Sequence, residues 1–135
     1  MKKIVLWIFL ATLTLASCRK PQDPPPVTSV LLKNDWRVSF CRDNGTNRTS
    51  LYSGWKFTFL AADSSVTITT GGGTYLGKWS ENTNARSFTL TINAPLFETA
   101  LISRTWQVVL INPGRIRLAD DRFNPRQELW FDIFE

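Results

Sequence analysis

The chain contains no histidine among its 135 residues. That absence removes Ser–His and Cys–His nucleophile pairs and every histidine-based zinc site. Cysteine is nearly as scarce, with only Cys18 and Cys41, too few for the disulfide frameworks that staple small exported domains. Gly71-Gly72-Gly73 is the one glycine run, but no Lys-Ser and no helical pattern follows it, so it is not a phosphate loop. Long apolar runs are missing too. The stretch from Ile4 to Leu15 is interrupted by Thr12 and Thr14 and is short of the ~20 residues a helix needs to cross a bilayer core. No repeat of solenoid length occurs.

Acidic residues number 11 against 16 basic ones. Glycosidases need only two well-spaced carboxylates, yet Asp120 and Asp121 are adjacent and would point to opposite faces of a strand. Asp43, Asp63, Glu81 and Glu98 fall in turns or connections. A carboxylate hydrolase is therefore the weakest functional expectation. A noncatalytic protein without cofactor or metal is the leading one.

What is present begins with the amino-terminal stretch. Lys2 and Lys3 precede the short apolar run, and Leu15-Ala16-Ser17-Cys18 follows it. A positive start, an apolar core and small residues before a cut site describe a secretory signal. The tetrapeptide resembles the bacterial lipobox, which implies cleavage before Cys18, a diacylglycerol on its sulfur and an acylated new amino terminus. Residues 1–17 then read as a lipoprotein signal. Several acyl chains, at about 0.8 kcal/mol per buried methylene, hold a protein to a membrane without a helix. Losing Lys2 and Lys3 leaves 14 basic against 11 acidic residues, a net charge of +3. So mild an excess on an exported protein does not suggest nucleic-acid binding. With lipid on Cys18, Cys41 has no intramolecular partner and reads as a small packing residue.

Residues 18–27, the lipidated Cys18 and the polar, proline-rich RKPQDPPP beyond it, read as a semi-rigid tether. From residue 28 to 135 the dominant signal is alternation at period two. Trp36, Val38 and Phe40 point one way and Arg37, Ser39 and Cys41 the other. The same rhythm places Trp55, Phe57 and Phe59, then Val66 and Ile68, then Tyr75, Gly77 and Trp79 on one face. It continues through Phe88, Leu90 and Ile92, Trp106, Val108 and Leu110, Ile116 and Leu118, and Leu129, Phe131 and Ile133. About eight strands rich in β-branched and aromatic residues result. Asp43-Asn44-Gly45, the glycine triplet and Glu81-Asn82-Thr83-Asn84 supply turns, and Asn112-Pro113-Gly114 suits type II. Between Asn93 and Ser103, Asn93 is placed to cap a short helix whose Leu96, Ala100 and Leu101 face the sheet. Val27 to Leu32 can form a helical turn plugging one end. The expected fold is all-β, an antiparallel up-and-down eight-stranded barrel with a short helix. A β-sandwich is the alternative, because alternation does not distinguish the two.

Leu32-Lys33-Asn34-Asp35-Trp36 resembles the first-strand signature of lipocalin-like domains, with Asn34 in the place of a glycine. Gly54-Trp55-Lys56-Phe57-Thr58-Phe59, Gly77-Lys78-Trp79, Trp106-Gln107-Val108 and Ile116-Arg117-Leu118 extend the similarity. Together with the lipobox, these segments resemble the small lipocalin-like lipoproteins of Bacteroidota. The resemblance implies a lipocalin-like barrel and a capacity for small hydrophobic molecules. Arg19 and Lys20 differ from the acidic cluster that directs similar lipoproteins to the cell surface, which favours an outer-membrane protein facing the periplasm.

The barrel-lining candidates for a small hydrophobic ligand are Trp36, Trp55, Tyr75, Trp79 and Trp106. Large aromatics fill the space a ligand would need, so the interior reads as packed, with at most a shallow pocket at one mouth. A different class of function, a protein- or glycan-interaction module, rests on the outer surface. Trp130 falls opposite Leu129, Phe131 and Ile133, either exposed or beneath a helical segment, and Arg115 and Arg117 share an outer face.

Overall fold

The computed structural model describes residues 25–135. The expected signal, Cys18 and all but the end of the tether lie outside these residues. The order of elements is α1 (Thr28–Leu31), β1 (Trp36–Asp43), β2 (Thr46–Asn47), a 3-10 turn (Thr49–Tyr52), β3 (Lys56–Leu60), β4 (Ser65–Thr70) and β5 (Gly73–Asn82). Then follow β6 (Ser87–Ile92), α2 (Phe97–Ile102), β7 (Thr105–Asn112), β8 (Arg115–Asp120) and β9 (Gln127–Ile133). Each strand from β3 to β9 pairs antiparallel with the next. β1 joins the two ends of this meander: it pairs with β9 from Trp36↔Ile133 to Arg42↔Glu128 and with β3 at Trp36↔Phe57. β1 and β3–β9 thus form a closed eight-stranded barrel, and the ring of pairings excludes the sandwich. β2 is a two-residue stub on β1, reached through a two-residue loop in which Asn44 (φ 50°) and Gly45 (φ 78°) take the left-handed backbone of a type I′ hairpin.

Alternation places most of the core. Phe57, Phe59, Val66, Ile68, Phe88, Leu90, Ile116, Leu118, Leu129 and Phe131 are all buried, as the period of two requires. The two departures share one cause. The β1–β9 register shifts between Val38 and Phe40, and the β7–β8 register between Val108 and Leu110. Each shift is a β-bulge, which reverses the faces beyond it. Phe40, expected inside, therefore lies on the outer wall, and Cys41, expected outside, is buried. Likewise Leu110 is turned out and Ile111 turned in to pack against the core.

Two other expectations change in detail. Gly114 does not have the positive φ that a type II turn demands at its third position. Instead the Asn112 side-chain carbonyl accepts the Gly114 N–H at 3.0 Å. α2 starts at Phe97, with Leu96 and not Asn93 at its cap, and Asn93 stays joined to β5, its N–H donating to the Leu76 carbonyl at 3.0 Å. That start turns Thr99 and Ile102 inward and leaves Ala100 exposed.

Both barrel ends are plugged. At one mouth Val27, Val30 and Leu31 of the α1 segment are buried, and the Leu31 carbonyl accepts the Trp36 indole N–H at 2.8 Å. Val27, placed at the end of the tether by the sequence, is thus part of the core. At the other mouth Ile102 is buried, its carbonyl accepts the Trp106 indole N–H at 3.0 Å, and the Tyr52 hydroxyl donates to the Glu98 carbonyl at 2.8 Å.

Candidate functional site

The five barrel-lining candidates converge on the interior. Trp36, Trp55, Trp79 and Trp106 are buried, and half-buried Tyr75 packs against the same core. The Trp79 indole N–H, like those of Trp36 and Trp106, is already used, donating to the Leu60 carbonyl at 3.2 Å. Trp55, Phe57, Phe131, Phe59, Phe88 and Trp79 form a chain of aromatic contacts with centroids 5.2–6.4 Å apart. These rings occupy the barrel axis.

A concavity lies at the α1 mouth. A cleft of about 530 Å³ is bounded by Pro25 and Pro26, by the β5–β6 hairpin with Glu81 and Arg86, and by Val108 and Ile111 of β7. That volume lies within the ordinary range of small-molecule sites, about 300–1,000 Å³. Glu81 is committed to structure there. Its carboxylate accepts the Val27 N–H at 2.6 Å, the Thr28 N–H at 3.1 Å and the Thr28 hydroxyl at 2.6 Å, which pins α1 across the mouth. Arg86 is the uncommitted charge. It forms no ion pair among the described residues and sits at φ 51°, backbone that a bulky side chain rarely adopts. The Val108 N–H, donating to the Arg86 carbonyl at 2.9 Å, holds it there. Sequence reasoning recognised this hairpin only as a turn. Neither the roles of Glu81 and Arg86 nor the bulge that delivers Ile111 leaves a local mark.

The outer-wall candidates form a second locus. Register aligns Phe40 with Trp130, Trp130 with Arg117, and Arg117 with Leu110, a straight row across β1, β9, β8 and β7. Trp130 does not stand open to solvent. Phe40 packs at 4.7 Å between centroids, and the Arg117 guanidinium lies 3.8 Å from the ring centre. Arg115 forms a two-pronged pair with Asp132 at 2.6 and 2.7 Å, which holds the Asp132 carboxyl below the usual carboxylate range. A pit of about 30 Å³ beside Arg117 and Trp130 is bordered by Val109, Arg126 and Glu128.

The adjacent acids Asp120 and Asp121 are each tied to an arginine. Asp120, facing inward at the α2 mouth, accepts two hydrogen bonds from the Arg122 guanidinium at 2.8 and 2.7 Å and has Arg104 at 3.8 Å. Those contacts lower its pKa, with the Arg122 hydrogen bonds leading. Asp121 lies 3.5 Å from Arg126 in solvent, so the adjacent acids do not share a site. Among the described residues no group of three or more Cys, Asp or Glu is placed to hold a metal ion. Cys18 lies outside the described residues.

No family model matches the chain, and no curated protein does. Among solved structures it is similar to the crystal structure of a DUF4847 family protein from Bacteroides vulgatus. The TM-score is 0.57 and the identity 16%, over 78% of this chain and 96% of that one. The likeness is one of fold: this chain shares its barrel architecture with a Bacteroides protein.

Proposed function

We propose that this protein is a lipid-anchored, noncatalytic envelope barrel of the lipocalin-like type that carries a small amphiphilic molecule at its α1 mouth. The observation that carries this reading is the contrast between an axis filled by aromatic rings and an open cleft of about 530 Å³ beside α1. Val108, Ile111 and the prolines offer apolar contact, while Arg86 offers a positive charge to an acidic head group. The sequence before Cys18 supports anchoring, and its flanks favour the periplasmic side of the outer membrane. The noncatalytic reading is supported by the carboxyl chemistry. Asp120 and Asp132 are each held by a two-pronged arginine pair, which leaves neither carboxyl free to exchange a proton with a substrate.

Native mass spectrometry of the full chain purified from a bacterium that lipidates such signals tests both parts. The expected spectrum shows acylated Cys18 and a retained small molecule, with the latter lost in Ile111→Trp, where the indole fills the cleft. An unmodified cysteine defeats the anchor. A chain that retains nothing, or retains as much with Ile111→Trp, defeats the cleft.

A further inference from the structure

The outer wall has a property the mouth cleft does not explain. Two β-bulges, on strands separated by two others, each turn outward an apolar residue that simple alternation would bury, and both land on one line. Phe40 comes from the β1 bulge and Leu110 from the β7 bulge, with Trp130 and Arg117 between them. Bulges are built features that re-aim side chains. Val109, 44% exposed, and Leu110, 38% exposed, lie at the β7 end of this line. With strands about 4.8 Å apart, it runs about 14 Å across the wall.

The surroundings are basic. Arg37, Arg42, Arg115, Arg117 and Arg126 stand on or beside this wall, against Asp132 and Glu128, each of which already meets an arginine, and Asp121 at its margin. Arg117 has no carboxylate in reach among the described residues, and its buried Nε has no hydrogen-bond partner. A second copy of the chain laid face to face would oppose arginine with arginine. A sugar ring would find the Trp130 face covered by Arg117 at 3.8 Å. The wall of a closed barrel is convex, which suits a soft, flat, negative surface better than a peptide that seeks a groove.

Chain geometry points the same way. Pro25 borders the cleft with Val108 and Ile111, the neighbours of Val109 and Leu110 on β7. Six residues separate Cys18 from Pro25, a reach of about 22 Å in extended proline-rich chain. We propose that the outer wall of β1, β9, β8 and β7 is a second membrane contact, which lays Val109, Leu110 and the Trp130 edge against an anionic lipid surface with Arg117 facing the headgroup phosphates. This rests on the anchored reading above, since a lipid chain joined to a basic patch is the pairing that gives stable, oriented attachment.

The test uses the full chain with its Cys18 state established by mass. It is added to vesicles of brominated phosphatidylcholine, with or without phosphatidylglycerol. Among the described residues Trp130 is the tryptophan on the outer wall, the other four being buried in the barrel. Quenching that vanishes in Trp130→Phe therefore reads this wall. The expected result is Trp130 quenching in the anionic vesicles, weak in the neutral ones, and lost in Leu110→Ser/Arg117→Gln while flotation of the acylated protein persists. Equal quenching in both vesicle types, or none in either, overturns the proposal. In the mature chain from residue 18 carrying Cys18→Ser, where neither signal nor lipid holds the protein, Arg117→Gln lowers partition into anionic vesicles about fivefold. An unchanged partition there overturns the wall contact even if the anchor stands.

Discussion

Cys41 is the residue at which the sequence and the fold part most clearly. Alternation sends it outward beside Arg37 and Ser39, but the bulge before Phe40 turns it in, to 2% exposure, with its N–H on the Thr49 hydroxyl at 2.9 Å. Burial pushes the thiol pKa up to about 11. The reactive thiolate is then on the order of a thousandth of the population at pH 8. A maleimide or disulfide reagent at that pH is expected to leave the folded chain's Cys41 unmodified and to label it promptly in denaturant. Rapid labelling of the native protein would contradict its buried position. That Cys41 is a small packing residue was legible in the sequence; which way it points was not. Glu81 is the converse case: nothing around it signals that its carboxylate fastens a helix 53 residues upstream, because the contact exists only once the barrel has closed.

At the scale of the strand, legibility depended on whether one register or two were compatible with the residues. Phe57-Thr58-Phe59 and Val66-Thr67-Ile68 admit one reading, and the structure follows it. Val108-Val109-Leu110-Ile111 is apolar throughout, so an extra residue can slip in without disturbing any pattern, and the bulge there was invisible. The mouth cleft and the outer row both depend on that slip. Gly77 was legible as an inward position but not as a tight one. A Cβ there would stand 2.7 Å from the Thr91 carbonyl oxygen and 3.0 Å from the Ile92 Cα, both backbone atoms of β6 that cannot easily move aside. Gly77→Ala is therefore expected to destabilise the domain by about 1–3 kcal/mol, the usual cost of overpacking, read as a lower urea midpoint with unchanged slope. No change in midpoint would mean that β6 yields there.

For the whole molecule, the barrel was legible because the repeated short hairpins leave edges that only closure removes. What it holds was not, since a cleft is made by elements far apart in the chain. Acid stability follows from the arginine-bound carboxylates. Asp120 and Asp132 have folded pKa values below their unfolded ones. Their contribution is therefore fully present above the ordinary aspartate value of about 3.9 and is lost as pH falls through the lower folded values. The urea midpoint is expected to be level above pH 5 and to drop below pH 4. The drop should be shallower in Asp120→Asn, which is itself less stable at pH 7 because Arg122 and Arg104 lose a charged acceptor. An equally steep drop in that variant would assign the acid sensitivity elsewhere. The ladder between β1 and β9 has a further consequence, for the order of events during synthesis. Ser39 meets Trp130 across 91 residues of chain, so no early segment can complete the ring. Until the ninth strand has been made, every nascent length of this protein is an unsealed meander with β1 lacking its principal partner. Under the envelope reading proposed above, such a chain would stay threadable through an export channel until its last strand follows.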